Sequence, residues 1–171
     1  MAERIAYITM DTRWGPVCIA ASGKGVLRIS LGRPKDAFLR WLGMDGYFVA
    51  ESGTGVVGEA RDQLREYLTG ARREFKLPLD LRGTPFQVKV WETVAGIPYG
   101  ELWSYRDVAV AVGYPRAWRA VGNAVGENPV PPVVPCHRVV RSDGRLGGYG
   151  GREDLKRELL KLESSIDKIK K

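Results

Sequence analysis

The sequence predicts an α+β fold in two parts, and two observations carry that reading. Three short β-rich runs, RIAYITM, GPVCIAA and GVLRISL, precede Gly32, with TRWGP and SGKG supplying turn chemistry between them. From Thr84 onward the apolar spacing turns helical, in segments bounded by N-cap residues, prolines and glycines. The expected organisation is a small N-terminal β-meander/helix domain over residues 1–83, then a mostly helical domain over residues 84–171.

The elements follow in order. The three runs make an antiparallel meander, and a short helix is expected over Asp36–Trp41. In GVVGEARDQLREYLTG, Val56, Val57, Ala60, Leu64, Tyr67 and Leu68 share one helical face, and Gly70 is the stop. EFKLPLDL reads as an extended connector, because Pro78 argues against a central strand. TPFQVKVWETVAGIPYG opens with Thr84 as N-cap and Pro85 at the first helical position. SYRDVAVAVG opens with Ser104 and has Asp107 three residues on, an approximate capping box, and it stops at Gly113. A further helix is expected over Pro115–Gly126; with its predecessor and the GYP turn it makes a helix-turn-helix-like pair, an arrangement also common where no DNA is bound. REDLKRELLKLE is the last helix, and the polar tail SSIDKIKK is expected to fray.

On the Pro115–Gly126 helix, Ala117, Ala120, Val121 and Ala124 form a stripe of small core residues. Arg119, Gly122, Asn123 and Gly126 gather on the opposite side. A glycine inside a helix costs about 1 kcal/mol relative to alanine. A bare face with one projecting arginine lets a polyanion backbone come close, with the arginine reaching between bases. The bland alternative is that the glycines permit helix packing and Arg119 is merely solvated.

Charge and cysteine content narrow the function classes. With 27 basic and 20 acidic residues the net charge is +7, which makes an anionic partner a candidate beside a merely solvated surface. The excess does not point to one half: 13 basic and 10 acidic residues precede Thr84, and 14 basic and 10 acidic follow from it. Two cysteines, Cys18 and Cys136, are too few for a disulfide framework, and one histidine argues against a Cys/His zinc site. No signal-peptide pattern opens the chain, and no apolar run reaches the roughly 18 residues of a membrane span. The expected location is the cytoplasm, nucleoid-associated in a prokaryote, where a thiol stays reduced.

That single histidine, His137, follows Cys136 in VVPCHRVV, after a stretch, ENPVPPVVP, whose four prolines limit its movement. Rigidity suits a nucleophile. A buried structural cysteine beside a core histidine is the commoner fate of such a pair. Neighbours in an extended segment point to opposite faces, so sharing a proton requires a bend or a bridging water.

PVVPCHRVV resembles the active-site signature of the O(6)-alkylguanine-DNA alkyltransferases. GTPFQVKVWE, IPYGELWSYRDVA, RAVGNAVGENP, GGYGG and LLKLE follow the family's order, from about Leu77 to Glu163, and only GPV and EYLTG echo it earlier. The resemblance implies a winged helix-turn-helix-like DNA-binding unit and a protein that acts as a monomer on double-stranded DNA carrying O(6)-alkylguanine, through the minor groove. It implies no cofactor and no metal; some members hold a structural zinc in the N-terminal domain, and this chain lacks the ligands. Cys136 is implied to take the alkyl group in a suicide reaction, His137 to accept the thiol proton through a water, and Glu163 to orient the imidazole. Tyr105 is implied to donate to the guanine ring and to crowd the phosphate behind the flipped nucleotide. Arg119 is implied to fill the vacated stack, with Gly122 and Asn123 beside it at the DNA. Val125, Pro131 and Tyr149 are implied to line the base pocket, the backbone of Cys136 and Val139 to read the guanine edge, and Asn128 to hold the turn before the active-site segment. Gly150 departs from the family, which more often has serine or alanine there, and leaves room for bulkier alkyl groups.

Four readings compete. Suicide repair uses every residue named above. A non-catalytic alkylated-base recognition protein, in which related proteins replace the acceptor cysteine, fits poorly with the joint presence of Cys136, His137 and Glu163. A thiol hydrolase or redox enzyme gives Arg119 no role, and a transcription factor leaves the cysteine segment unexplained.

Overall fold

Alternating apolar residues place β1 (Arg4–Thr12), β2 (Gly15–Ser22) and β3 (Gly25–Leu31) in the antiparallel meander expected of them. In the computed structural model, which describes residues 2–171, the chain divides into two units, Met1–Arg82 and Gly83–Lys171. β2 is buried from Val17 to Ser22, its Cys18 and Ala20 packing with Ile5 and Leu27 against Phe38 and Leu42 of α1 (Lys35–Met44). A fourth strand went unread in the sequence. β4 (Phe48–Glu51) pairs parallel to β1 and gives the sheet order β3-β2-β1-β4. It has four residues and is mostly exposed, so it carries no clean alternation to betray it.

α2 (Gly55–Leu68) packs on the sheet through Val57, Ala60, Leu64 and Tyr67, whereas Val56 and Leu68 are half-buried. The connector is more than a spacer. Leu79 bridges Val26, with Val26 N–H donating to the Pro78 carbonyl at 2.8 Å and Asp80 N–H to the Val26 carbonyl at 2.9 Å. Pro78 thus lies beside an edge strand, where a missing N–H is tolerated. Gly25 permits the approach, since a Cβ there would meet the Pro78 oxygen at 2.5 Å.

In the second unit, Thr84 and Gln87 form a reciprocal capping box at the start of α3 (Pro85–Ala95). Ser104 ends β5 (Trp103–Ser104) and caps α4 (Tyr105–Ala111) through the same device with Asp107, at 3.0 and 2.7 Å. The expected second helix begins later than its proline suggests: α5 spans Trp118–Gly126, because the residues after Tyr114 form a turn in which Ala117 N–H donates to the Tyr114 carbonyl. This shifts the core stripe. Val121, Ala124 and Val125 are buried, and Ala120 is exposed. The buried Trp91 indole N–H donates to the Ala124 carbonyl at 2.7 Å and ties α3 to α5.

The cysteine–histidine segment runs through a single 3-10 turn, Cys136–Arg138, into β6 (Val139–Val140), which pairs parallel to β5. After α6 (Glu153–Leu162) the tail does not fray. Ser165 is buried, Ile166–Lys168 form a 3-10 turn, and the Lys168 ammonium and the Lys170 N–H donate to the Gly100 and Gly144 carbonyls, each at 2.8 Å. Its two isoleucines and these backbone acceptors fix a segment whose composition reads as solvated. Among the described residues no helix is long and apolar enough to cross a membrane.

Candidate active site

The prolines deliver Cys136 at the start of the 3-10 turn, so the segment bends where an extended strand would send the two side chains to opposite faces. Asn128 holds the approach: its amide donates to the Val134 carbonyl at 2.7 Å, and its carbonyl oxygen accepts from Val130 N–H at 3.0 Å. Cys136 is 7% exposed and His137 wholly buried. Neither Cys136 nor Cys18 is in a disulfide.

His137 Nε2 lies 2.8 Å from Oε1 of Glu163, the C-cap residue that follows α6. An ionised carboxylate only accepts, so Nε2 carries the ring proton and Nδ1 is the basic nitrogen. A carboxylate at a helix C-terminus opposes the helix dipole, and Arg138 offsets that. Its guanidinium grips Glu163 as a fork, Nε to Oε2 at 2.9 Å and Nη2 to Oε1 at 2.7 Å, while Nη1 donates to the Ile97 carbonyl at 2.6 Å. Burial works to raise the Glu163 carboxyl, but the bonds and charges of His137 and Arg138 outweigh it and hold it well below the usual carboxylate range. Burial pushes the His137 imidazole down against the pull of Glu163, so the ring is neutral near pH 7. Burial also pushes the Cys136 thiol up, with Asn128, the charge of Lys156 and Tyr149 drawing it partway back. A protonated thiol thus sits on the residue next to a neutral imidazole backed by a carboxylate, the composition of a Cys-His-Glu proton relay.

Tyr105, at the start of α4, stands among glycines. A Cβ on Gly122 would sit 3.8 Å from Tyr105 Cδ1, and one on Gly147, whose φ is +75°, would sit 3.1 Å from its hydroxyl. Gly147 therefore lets the phenol approach a loop that a larger residue would hold away. Burial, then the neighbouring Cys136, raises the Tyr105 pKa, so the phenol remains a hydrogen-bond donor. Beside it opens a cavity of about 920 Å³ bounded by Leu146, Gly147, Gly148, Arg141, Arg145 and Arg157.

Of the residues expected from sequence, Tyr105, Asn128 and Tyr149 act on the Cys136 thiol, and Glu163 is held at His137, the next residue in the chain. Val125 and Val139 are buried, and Pro131 is half-buried. Gly150 is exposed at φ +59°, a backbone region where serine or alanine is strained. Arg119 and Asn123 are exposed along α5, with Gly122 half-buried between them and Gly126 open.

Two buried charged groups beside the site carry no role in the sequence reading. Arg138 lies inside the PCHR motif and grips Glu163. Lys156 is fully buried, its ammonium donating to the carbonyls of Val139 at 2.8 Å, Leu146 at 2.6 Å and Gly148 at 3.2 Å. Burial lowers its pKa to about 8, although Cys136 and Glu153 pull the other way. The signal for it was available, because Leu155, Lys156, Leu159 and Leu160 make an apolar face of α6 interrupted by one lysine.

The family description 6-O-methylguanine DNA methyltransferase, DNA binding domain matches residues 85–165, and 6-O-methylguanine DNA methyltransferase, ribonuclease-like domain matches residues 5–81. The likeness, faint by eye before Leu77, therefore runs through the first unit too. Over 163 residues the chain is 43% identical to the methylated-DNA–protein-cysteine methyltransferase of Mycobacterium bovis, covering 94% of this chain and 93% of the relative. The constitutive methylated-DNA–protein-cysteine methyltransferase of Bacillus subtilis is 41% identical over 158 residues, covering 92% and 94%. A crystal structure of Mycobacterium tuberculosis OGT in complex with DNA matches with a TM-score of 0.80 and 38% identity, covering 96% of this chain and 94% of that one. Matched in both halves and along nearly its whole length, the chain belongs to the 6-O-methylguanine DNA methyltransferase family.

Proposed function

We propose that this protein repairs DNA by direct reversal, moving the alkyl group from the O6 of an alkylguanine in duplex DNA to Cys136, once per molecule. The observation that carries the reading is the buried turn that sets Cys136 next to His137, with Glu163 2.8 Å from His137 Nε2. A thiol raised by burial is a poor nucleophile, so a base must take its proton. His137 supplies that base through a water, with Glu163 stabilising the imidazolium. The thiolate attacks the alkyl carbon, the S–C bond forms as the O6–C bond breaks, and the bond's electron pair stays on O6. Tyr105 donates a proton to the guanine ring, and the base leaves neutral. The product is a thioether, which explains the single turnover.

Because Cys136 is nearly closed to solvent, the nucleotide must leave the stack to reach it. Arg119 occupies the vacated position, with Gly122 and Asn123 facing the minor groove. Val125, Pro131, Tyr149 and Gly150 shape the pocket, and the backbone of Cys136 and Val139 reads the guanine edge. The protein works as a monomer in the cytoplasm, where the thiol stays reduced, with its acceptor domain over residues 84–171.

The test is intact mass with peptide mapping after mixing the protein with a duplex containing one O(6)-methylguanine. One added methyl group on Cys136, saturating at one per protein and absent from Cys136→Ala, is the expected result. Tight binding without any mass change would replace this reading with a lesion sensor.

A further inference from the structure

The exposed aromatic ring at the head of α5 has no role in the chemistry above. Trp118 is the first residue of α5 and is 38% exposed. Two guanidinium groups lie over its ring: that of Arg119 is 5.0 Å from the ring centroid and that of Arg106, in the first turn of α4, is 5.7 Å away. The turn between the two helices adds Tyr114, 55% exposed, which meets Phe86 edge-on at 5.9 Å with the Lys89 ammonium 5.6 Å from its own ring. Arg116 is exposed in the same turn. The acidic neighbour here, Asp107, is engaged at the Ser104 N–H.

An indole left this open in water is unfavourable, and nothing in the packing of α5 requires it, since the helix is anchored through Val121, Ala124 and Val125. Large flat apolar surface interleaved with guanidinium groups matches one kind of partner well. Nucleic acid offers flat bases and apolar sugar faces between regularly spaced phosphates. Trp118 also immediately precedes Arg119, so it stands beside any step into which Arg119 reaches.

Resting on the repair reading above, we infer that Trp118 is a DNA-contacting residue, packing its indole against the sugar and base edges flanking the extruded nucleotide while Arg106 neutralises the neighbouring phosphate. Arg119 fills the gap in the stack, and Trp118 braces the intact step next to it.

The test uses the full-length protein and its Trp118→Ala, Trp118→Phe and Arg106→Ala variants. It reads duplex affinity by anisotropy over a salt series, extrusion by 2-aminopurine placed next to O(6)-methylguanine, and alkylation by duplex and by free O(6)-benzylguanine. Trp118→Ala should weaken duplex binding about tenfold without changing the salt slope, and should slow extrusion. Its loss with duplex should exceed its loss with the free base, and Trp118→Phe should recover part of it. Arg106→Ala should lower the salt slope by about one. Wild-type affinity and extrusion in Trp118→Ala, faster extrusion, or equal losses with duplex and free base would overturn the inference. A change in salt slope matching that of Arg106→Ala would also overturn it, leaving the ring as a mere positioner of cations. If the wild-type protein itself leaves methylated duplex unbound and unreacted, the repair reading fails, whatever the variants do.

Discussion

Glu163 Oε1 lies 2.8 Å from His137 Nε2 across 26 positions of sequence, and both side chains are closed to solvent. The same carboxylate is held by the Arg138 fork, so one group holds the imidazole and neutralises a buried cation. Glu163→Gln preserves shape but keeps only one acceptor oxygen and removes the negative charge. Methyl transfer from duplex DNA should slow on the order of a hundredfold, because the imidazolium is no longer stabilised. Urea unfolding should show a loss on the order of 3–5 kcal/mol, since the Arg138 charge is left uncompensated in the interior. Wild-type transfer with lowered stability would make Glu163 structural only.

The same cluster contributes to the acid side of the stability curve. The folded-state pKa of His137 is below its ordinary 6.5, so protons bind the unfolded chain more readily. Its contribution is present above that value and begins to fall as pH drops through it. Glu163 is likewise held below its ordinary 4.5, and its stabilisation is fully present above that value and lost as pH falls further. Wild-type unfolding free energy should therefore decline in two stages, first below about 6.5 and again below about 4.5. Glu163→Gln should show a smaller second stage, the remainder coming from carboxylates such as Asp80, which Arg82 and Ser22 hold low by hydrogen bonds. A decline identical in both proteins would show that the carboxylate does not govern it.

Much of this cluster was legible in the sequence, and the parts that were not share a cause. Cys136, His137 and Glu163 were readable because they stand in a distinctive motif order, and the Thr84 and Ser104 caps because capping is local. β4 was hidden because a short parallel strand is defined by its partner β1, far away in sequence. The Pro115 start misled because proline marks a helix entrance and a turn equally well, and here the turn takes it. The order of the tail leaves no trace in the sequence because its acceptors, the carbonyls of Gly100 and Gly144, are backbone groups. Lys156 is silent for a similar reason, as its three partners are carbonyls.

Lys156 predicts an alkaline counterpart. Its folded pKa of about 8 lies below the ordinary 10.5, because burial penalises the ammonium. Between these values the unfolded chain binds the proton and the folded chain releases it, so this group makes stability rise with pH across that window. The difference in unfolding free energy between wild type and Lys156→Met, measured at several pH values in the window, should shift in favour of wild type as pH rises. A constant difference would mean that the ammonium titrates alike in both states.

The glycines of α5 separate a packing role from a DNA-facing one. A Cβ at Gly122 would meet Tyr105 Cδ1 at 3.8 Å, an ordinary contact, and one at Gly126 would meet nothing within 4 Å. Neither glycine is there because alanine does not fit. Gly122→Ala should therefore fold normally and gain about 0.5–1 kcal/mol from helix propensity, read as a higher urea midpoint. If the bare face exists to let a phosphate backbone approach, the same substitution should weaken duplex binding and slow transfer from duplex, with reaction at a free alkylated base much less affected. A variant that is more stable and binds duplex as tightly as wild type would remove Gly122 from the DNA surface. Gly126→Ala, further along the helix, then tests whether the approach extends to its end: binding that weakens at both positions traces the path of the backbone along α5, and weakening at Gly122 alone confines it to the neighbourhood of Arg119.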